Sequence, residues 1–224
     1  VELLSKAYSV KEINPTTGKE KKKKYWQYVA LPVQNALAED AFWGAYTYQY
    51  DETQGWIKKG TGENIEEFWG IGLSIDNEVY SGANNETSLT KFTIKGNLAL
   101  ATDRDIDLTS TTNAGEGQNM IGNSWTAPIH LTSMTADDFE NAVATVYIYN
   151  TGRDEQASGS IGTASYANGS TQAGQWISIP IAPTKLDPWL GPKVIPSMQA
   201  FEVDLDKGKT SGVLHLNYDK HVRT

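Results

Sequence analysis

The sequence predicts an all-β protein: antiparallel strands packed as a jelly-roll-like β-sandwich, in two related units with one or two short helices. Three observations predict it. Apolar and polar residues alternate with the two-residue period of a strand that buries one face. Aromatic and turn-forming residues are abundant, with seven Trp, eleven Tyr and twenty Gly in 224 residues, a mix that suits pleated surfaces joined by tight turns. The same kinds of segment also recur in the same order in the two halves of the chain.

The alternation is clearest in four places. "AYTYQYD" sets Tyr46, Tyr48 and Tyr50 on one face, and "KFTIKG" turns Phe92 and Ile94 inward with Lys91, Thr93 and Lys95 outward. "WISIPI" groups Ile177, Ile179 and Ile181, with Pro180 marking an edge or a strand end. "QAFEVDLD" opposes Phe201, Val203 and Leu205 to Glu202, Asp204 and Asp206. Such alternation belongs to antiparallel sheets with one wet face. Trp26, Trp43, Trp69, Trp125 and Trp176 fall in or beside these patterns and are expected in the core. "TADDFENAV" (135–143) reads as the one helix, with Thr135 as cap and Asp138 as its capping-box partner, and "NALAEDAFW" forms a similar short turn.

Laid over one another, the halves match piece by piece. "YWQYVALPV" precedes an Ala-rich bridge as "GQNMIGNSWTAPI" precedes "HLTSMTADDFENAV". "AYTYQYDETQGW" answers to "ATVYIYN" with Trp176 after a longer insertion, "FWGIGLSID" to "IPSMQAFEVD", and "ETSLTKFTIKGNLAL" to "GKTSGVLHLNY". A tandem duplication follows, with an N-terminal segment and basic linker at 1–24, a first β unit at 25–110 and a second at 111–224. One larger sandwich made by pairing the halves is the alternative.

The formal net charge of −8 disfavours nucleic acid and anionic lipid as partners. The basic run at 19–24 reads as a solvated linker or an edge guard. With no cysteine, disulfides and thiolate metal sites are excluded. No apolar run approaches the roughly 20 residues that cross a bilayer, so direct membrane insertion is not expected. The chain starts at Val1 with no leader of its own, and reads as a mature product or a piece of something longer.

Chemistry-bearing motifs are sparse. "DRDID" places Asp103, Asp105 and Asp107 on one face of an extended segment, a weak cation site for calcium that lacks the central Gly and distal Glu of a calcium loop. Calcium is therefore expected to add little or no stability, and no other cofactor is implied. No Gly-x-Ser-x-Gly elbow and no phosphate-cradling loop occurs, and the three His are dispersed. The chain is accordingly expected not to be an enzyme. For a saccharide, whose apolar faces stack on exposed rings while amides and carboxylates read hydroxyls, the ligand-binding candidates are Trp56, Trp189 and Tyr166.

Together "GQNMIGNSWTAPI", "VYIYN" and "VIPSMQAFEVD" resemble a recurring module of Bacteroidetes surface and secreted proteins, long multidomain adhesin-like chains usually of unknown function. Gly122 and Asn123 match its central Gly-Asn, Pro128 its second Pro, and Pro196, Gln199, Phe201 and Val203 its last strand. Ser124 and Ser197 stand where Pro is usual, and Ala200 where Gly is usual. The resemblance spans residues 25–218 and implies export to the cell envelope, the cell surface or beyond. It carries no catalytic residue across. The resulting expectation is a non-catalytic structural or adhesive module meeting surface proteins or glycans, with carbohydrate binding through exposed aromatics as the alternative and a glycan-active enzyme as a remote one.

Overall fold

In the computed structural model, which describes residues 1–84, 88–111, 117–151, 175–181 and 193–223, each alternating segment becomes a strand. The first half holds β1 (Glu2–Ser5), β2 (Tyr8–Ile13), β3 (Glu20–Tyr25), β4 (Gln27–Val29), β5 (Ala36–Leu37), helix α1 (Ala38–Ala41), β6 (Ala45–Asp51), β7 (Gly55–Lys58), β8 (Asn64–Ile65), β9 (Ile71–Ile75) and β10 (Thr90–Thr93). The second holds β11 (Arg104–Thr109), β12 (Gln118–Gly122), β13 (Ile129–His130), β14 (Phe139–Glu140), β15 (Thr145–Asn150), β16 (Gln175–Pro180), β17 (Val194–Ile195), β18 (Ala200–Asp204), β19 (Ser211–Leu216) and helix α2 (Tyr218–His221). The strand pairs are antiparallel, so the chain is all-β, with several antiparallel sheets and two short helices among the described residues.

Strand order repeats between the halves. One four-stranded sheet runs β4-β9-β6-β7 and the other β12-β18-β15-β16. The pairs β5–β8 and β1–β10 of the first half have their like in β13–β17 and β11–β19 of the second. β4, β6, β7, β9 and β10 carry the segments matched with those of β12, β15, β16, β18 and β19, whereas β11, expected in the first unit, pairs with β19 and packs in the second-half core. The β2–β3 hairpin stands outside this correspondence, and β14 extends the β11–β19 pair to three strands.

Three further expectations change. The segment 1–24 consists largely of strands instead of a linker, and the lysine run is β3, paired along its length with β2 in a two-stranded sheet, the edge position that was one of its two expected readings. Cross-strand ion pairs hold it there, with Lys21 and Lys23 on Glu12 and Lys11 on Glu20. The helix expected at 135–143 stops after a single 3-10 turn, Ala136–Asp138. Its capping box forms as expected, with the Thr135 N–H donating to Asp138 at 2.7 Å. Burial of Phe139 and Ala142 then draws the chain out into β14 against β19, which a continuing helix would not allow. Trp43 and Trp176 are 66% and 37% exposed, outside the core expected for tryptophans in or beside strand patterns.

Two apolar clusters fill the interior. The second-half cluster joins the four-stranded sheet (Val146, Ile179, Phe201) to the three-stranded one (Ile106, Leu214, Leu216), and the first-half cluster is built around Leu31, Ile71, Leu73 and Phe92. Each half also gives one residue to the other's cluster: Phe68 enters the second-half core and Met198 the first-half core. Both have left-handed backbone, with φ of 64° and 65°, a conformation uncommon for side-chain-bearing residues. Flanking bridges pair Trp69 with Ile121 and Val29 with Gln199, and the Gly122 and Ala30 N–H groups donate to the carbonyls of Phe68 and Met198 at 2.9 Å each.

Side-chain choice at this junction follows from crowding. A Cβ on Gly122 would lie 2.4 Å from the Cβ of Ala30 and 2.9 Å from the Trp69 carbonyl oxygen, so only glycine lets the strands close. Ser124 accepts a hydrogen bond from the Phe68 N–H at 2.8 Å, and Ser197 donates one to the Trp125 carbonyl at 2.6 Å. Each serine therefore makes a bond that a residue without a side-chain oxygen or hydroxyl could not make.

Candidate functional site

Alternation in β6, β7 and β15 sends aromatic side chains to the face opposite the core, and the junction brings the faces of both four-stranded sheets together. Tyr50 lies opposite Trp56 in the β6–β7 register, and Tyr149 opposite Trp176 in β15–β16. Tyr28 of β4 links the two sets. Its ring stacks on Trp56 (centroids 5.4 Å apart, planes 30° apart) and on Trp176 (5.3 Å, 25°), and meets Tyr149 edge-on at 4.7 Å. Aromatic contacts of this kind add to area burial and fix ring orientation. Trp56 stays 41% exposed at the surface of this array.

Beside the stacked rings lies a cavity of about 310 Å³ walled by Trp26, Tyr28, Tyr48 and Trp56 and floored by Gly72. Gly72 lets the rings lie close over the strand: a Cβ there would come within 3.1 Å of the Trp56 ring and 3.5 Å of Tyr28. Tyr48 pairs with Gly72, as Tyr147 pairs with Glu202 in the other half. One topological position is thus a glycine covered by aromatic rings in one sheet and a carboxyl group in the other.

Glu202 and Asp204 point from β18 to this same face and are half-buried. Burial, reinforced by the neighbouring Asp204 carboxylate, pushes Glu202 up to about 7. Asp204 is raised too, again by burial, with the Tyr147 hydroxyl and Glu202 drawing it partway back. Glu202 therefore carries the proton of the pair through much of the neutral range and presents both a donor and an acceptor. A raised carboxyl value means that the folded chain holds this proton more tightly than the unfolded chain. The stability it contributes is complete below the ordinary value of 4.5 and is lost as pH rises through about 7. Glu202→Gln is expected to become the more stable protein as pH goes from about 5 to about 8, by on the order of 1–2 kcal/mol after solvent screening. Urea titrations of both proteins across that range check it, and unfolding free energies that stay parallel would place the proton elsewhere.

At the opposite end, Lys22 and the Tyr46 hydroxyl each reach Asp76 at 2.7 Å. Burial works to raise Asp76, but those two hydrogen bonds outweigh it and hold the carboxyl at about 2. Lys24 lies over the Tyr46 ring, 3.7 Å from its centroid, and within 6 Å of the centroids of Trp26 (5.7 Å) and Tyr48 (5.8 Å). A second cavity, about 270 Å³, opens at the junction. Glu52 lines it and takes the Gly117 N–H on one oxygen at 3.2 Å.

Of the residues singled out from sequence, Trp56 stands in this aromatic array; Tyr166 and Trp189 lie outside the described residues. Asp103, Asp105 and Asp107 flank or lie on β11. Asp103 accepts from the Asn217 side chain and the Tyr218 N–H, both at 2.8 Å, and Asp105 bonds His215 at 2.7 Å. Asp107 sits opposite Val213. Among the described residues no group of three or more metal-ligating side chains gathers, these three aspartates included. Tyr28, Trp176, Gly72 and Glu202 were not among the sequence candidates. The matched positions of Trp56 and Trp176 in the two halves were the available signal.

No helix among the described residues is long and apolar enough to cross a membrane. No family model, no curated protein and no solved structure matches the chain.

Proposed function

We propose that this chain is a non-catalytic adhesive module of an exported bacterial surface or secreted protein, and that it holds saccharide against its aromatic face. The observation that carries this is the ring array itself: Tyr28 stacked on both Trp56 and Trp176 beside an aromatic-walled slot, with the Glu202–Asp204 pair on the same face. Sugar rings offer apolar C–H faces to such rings and hydroxyls to such carboxyls, and a slot of this volume is at the small end of ligand sites, which run from about 300 to 1,000 Å³. The acid pair favours binding over hydrolysis. Glycosidase carboxylates stand roughly 5–9 Å apart across the scissile bond, whereas Glu202 and Asp204 are neighbours on one strand that perturb each other directly.

The same proposal includes the layering: each half is a small sandwich of jelly-roll-like connectivity, supported by the shared core between the four-stranded and three-stranded sheets of the second half. A glycan array probed with the purified chain tests the function. Saturable binding that falls at least about fivefold on Trp56→Ala or Trp176→Ala is the expected result, since stripping a stacked ring from a binding site costs roughly 1 kcal/mol or more. Absence of binding to every saccharide, or release of sugar from any of them, would overturn it.

A further inference from the structure

Resting on the saccharide reading above, we propose that the slot over Gly72 is specific for an acidic sugar, a uronate or sialate residue whose ring lies among Trp26, Tyr28, Tyr48 and Trp56 and whose carboxylate is received by Lys24 and Lys58. The two lysines lie beside that slot, with Lys24 seated over the Tyr46 ring next to it. Lys24 Nζ is 5.7 Å from the Trp26 centroid and 5.8 Å from that of Tyr48, both walls of the slot. Lys58 is the cross-strand partner of Tyr48 and follows Trp56 by two residues, so its side chain leaves the sheet on the slot's side.

In a chain that is acidic as a whole, these two lysines lack the direct carboxylate contacts that their neighbours make. The other lysines of β3 have carboxylate partners: Lys21 and Lys23 on Glu12, and Lys22 on Asp76. Among the described residues, Lys24 and Lys58 form no ion pair with a carboxylate. Burial first, then repulsion from Lys58 and Lys22, makes Lys24 easier to deprotonate than a free lysine. An anion in the slot relieves that repulsion. A cationic guest, which four aromatic walls would otherwise suit, adds to it, and a neutral sugar leaves it as it is. Asp76 offsets part of that repulsion from a distance, but its oxygens are engaged by Lys22 and Tyr46 and make no contact with Lys24.

Isothermal titration of the full chain with galacturonate, mannuronate and guluronate oligosaccharides and with sialyllactose tests the inference, each beside its methyl ester and a neutral hexose counterpart. At least one acidic probe is expected to bind, its methyl ester about tenfold or more weaker, with affinity falling as salt is raised. Lys24→Gln and Lys58→Gln are each expected to abolish the preference for acid over ester while leaving the thermal unfolding midpoint near that of the parent. Trp56→Ala removes binding of both forms. Equal affinity for acid, ester and neutral sugar, or an undiminished preference in both lysine variants, would overturn the acidic specificity and leave saccharide binding standing. Failure of every sugar to bind would instead sink the saccharide reading and this inference with it.

Discussion

Phe68→Ala is expected to cost about 4 kcal/mol of folding stability, in the range of phenylalanine truncations in well-packed cores. Phe68 is 2% exposed and belongs by position to the first half, yet it packs in the core of the second. Its ring meets Trp125 edge-on at 5.2 Å, and the Arg104 guanidinium lies 5.3 Å from its centre. Truncation leaves a cavity that both sheets would have to move to fill, while the left-handed backbone at φ 64° keeps the substituted residue strained. Because the side chain crosses between the halves, the loss is expected in one cooperative transition. Denaturant unfolding followed by tryptophan fluorescence and by circular dichroism measures it. Two separated transitions in the parent chain, of which Phe68→Ala shifts only the first, would show that the exchange does not couple the halves.

Asn123→Ala is expected to destabilise the chain by about 4 kcal/mol for a different reason. Asn123 is 0% exposed, and its side chain satisfies three backbone groups at once. The amide nitrogen donates to the carbonyls of Ala127 and Ile195 at 3.0 Å each, and the amide oxygen accepts the Trp125 N–H at 3.1 Å. Alanine leaves all three without that partner in a buried site, at roughly 1–3 kcal/mol for each group that water does not reach. Asn123→Asp restores the acceptor for Trp125 but offers no donor to the two carbonyls, so it should recover only part of the loss. Chemical denaturation of the two variants makes the comparison, and a loss below about 1 kcal/mol for Asn123→Ala would mean that the loop between β12 and β13 closes without this residue.

Several features were legible because they depend on neighbours along the chain. Alternation identified the inward faces of β10, β16 and β18, where Phe92, Ile179, Phe201 and Val203 are buried as expected. The Thr135–Asp138 capping box was visible for the same reason, since both of its bonds close within four residues. The flanking sequence could not say how far that turn continues. Whether residues 139–143 coil or extend depends on β19, more than seventy residues away, offering an edge to Phe139.

The site was less legible. Period-two reasoning assigns a side chain to one of two faces and is silent on what covers the second face. Glu202 and Asp204 were rightly placed opposite the core, but their altered protonation arises from burial among neighbours that sequence does not reveal. Trp176 was assigned to the core because tryptophan usually belongs there; it faces outward because Ile177 and Ile179 take the inward positions of β16 and Tyr28 offers it a ring to stack on. Gly72 reads as one more strand glycine until Trp56 and Tyr28 are seen lying over it.

The sequence by itself determined the all-β class, the inward and outward faces of the strands and the in-order recurrence of segments, because these follow from backbone pleat, local propensity and turn chemistry. Tertiary structure alone decided that Phe68 and Met198 cross between the cores, that Tyr28 bridges the rings of Trp56 and Trp176, and that Lys24 comes near Lys58 beside the slot. Each of those joins residues brought together by sheet register and by the close approach at Gly122 and Gly72, a through-space matter that no local pattern encodes.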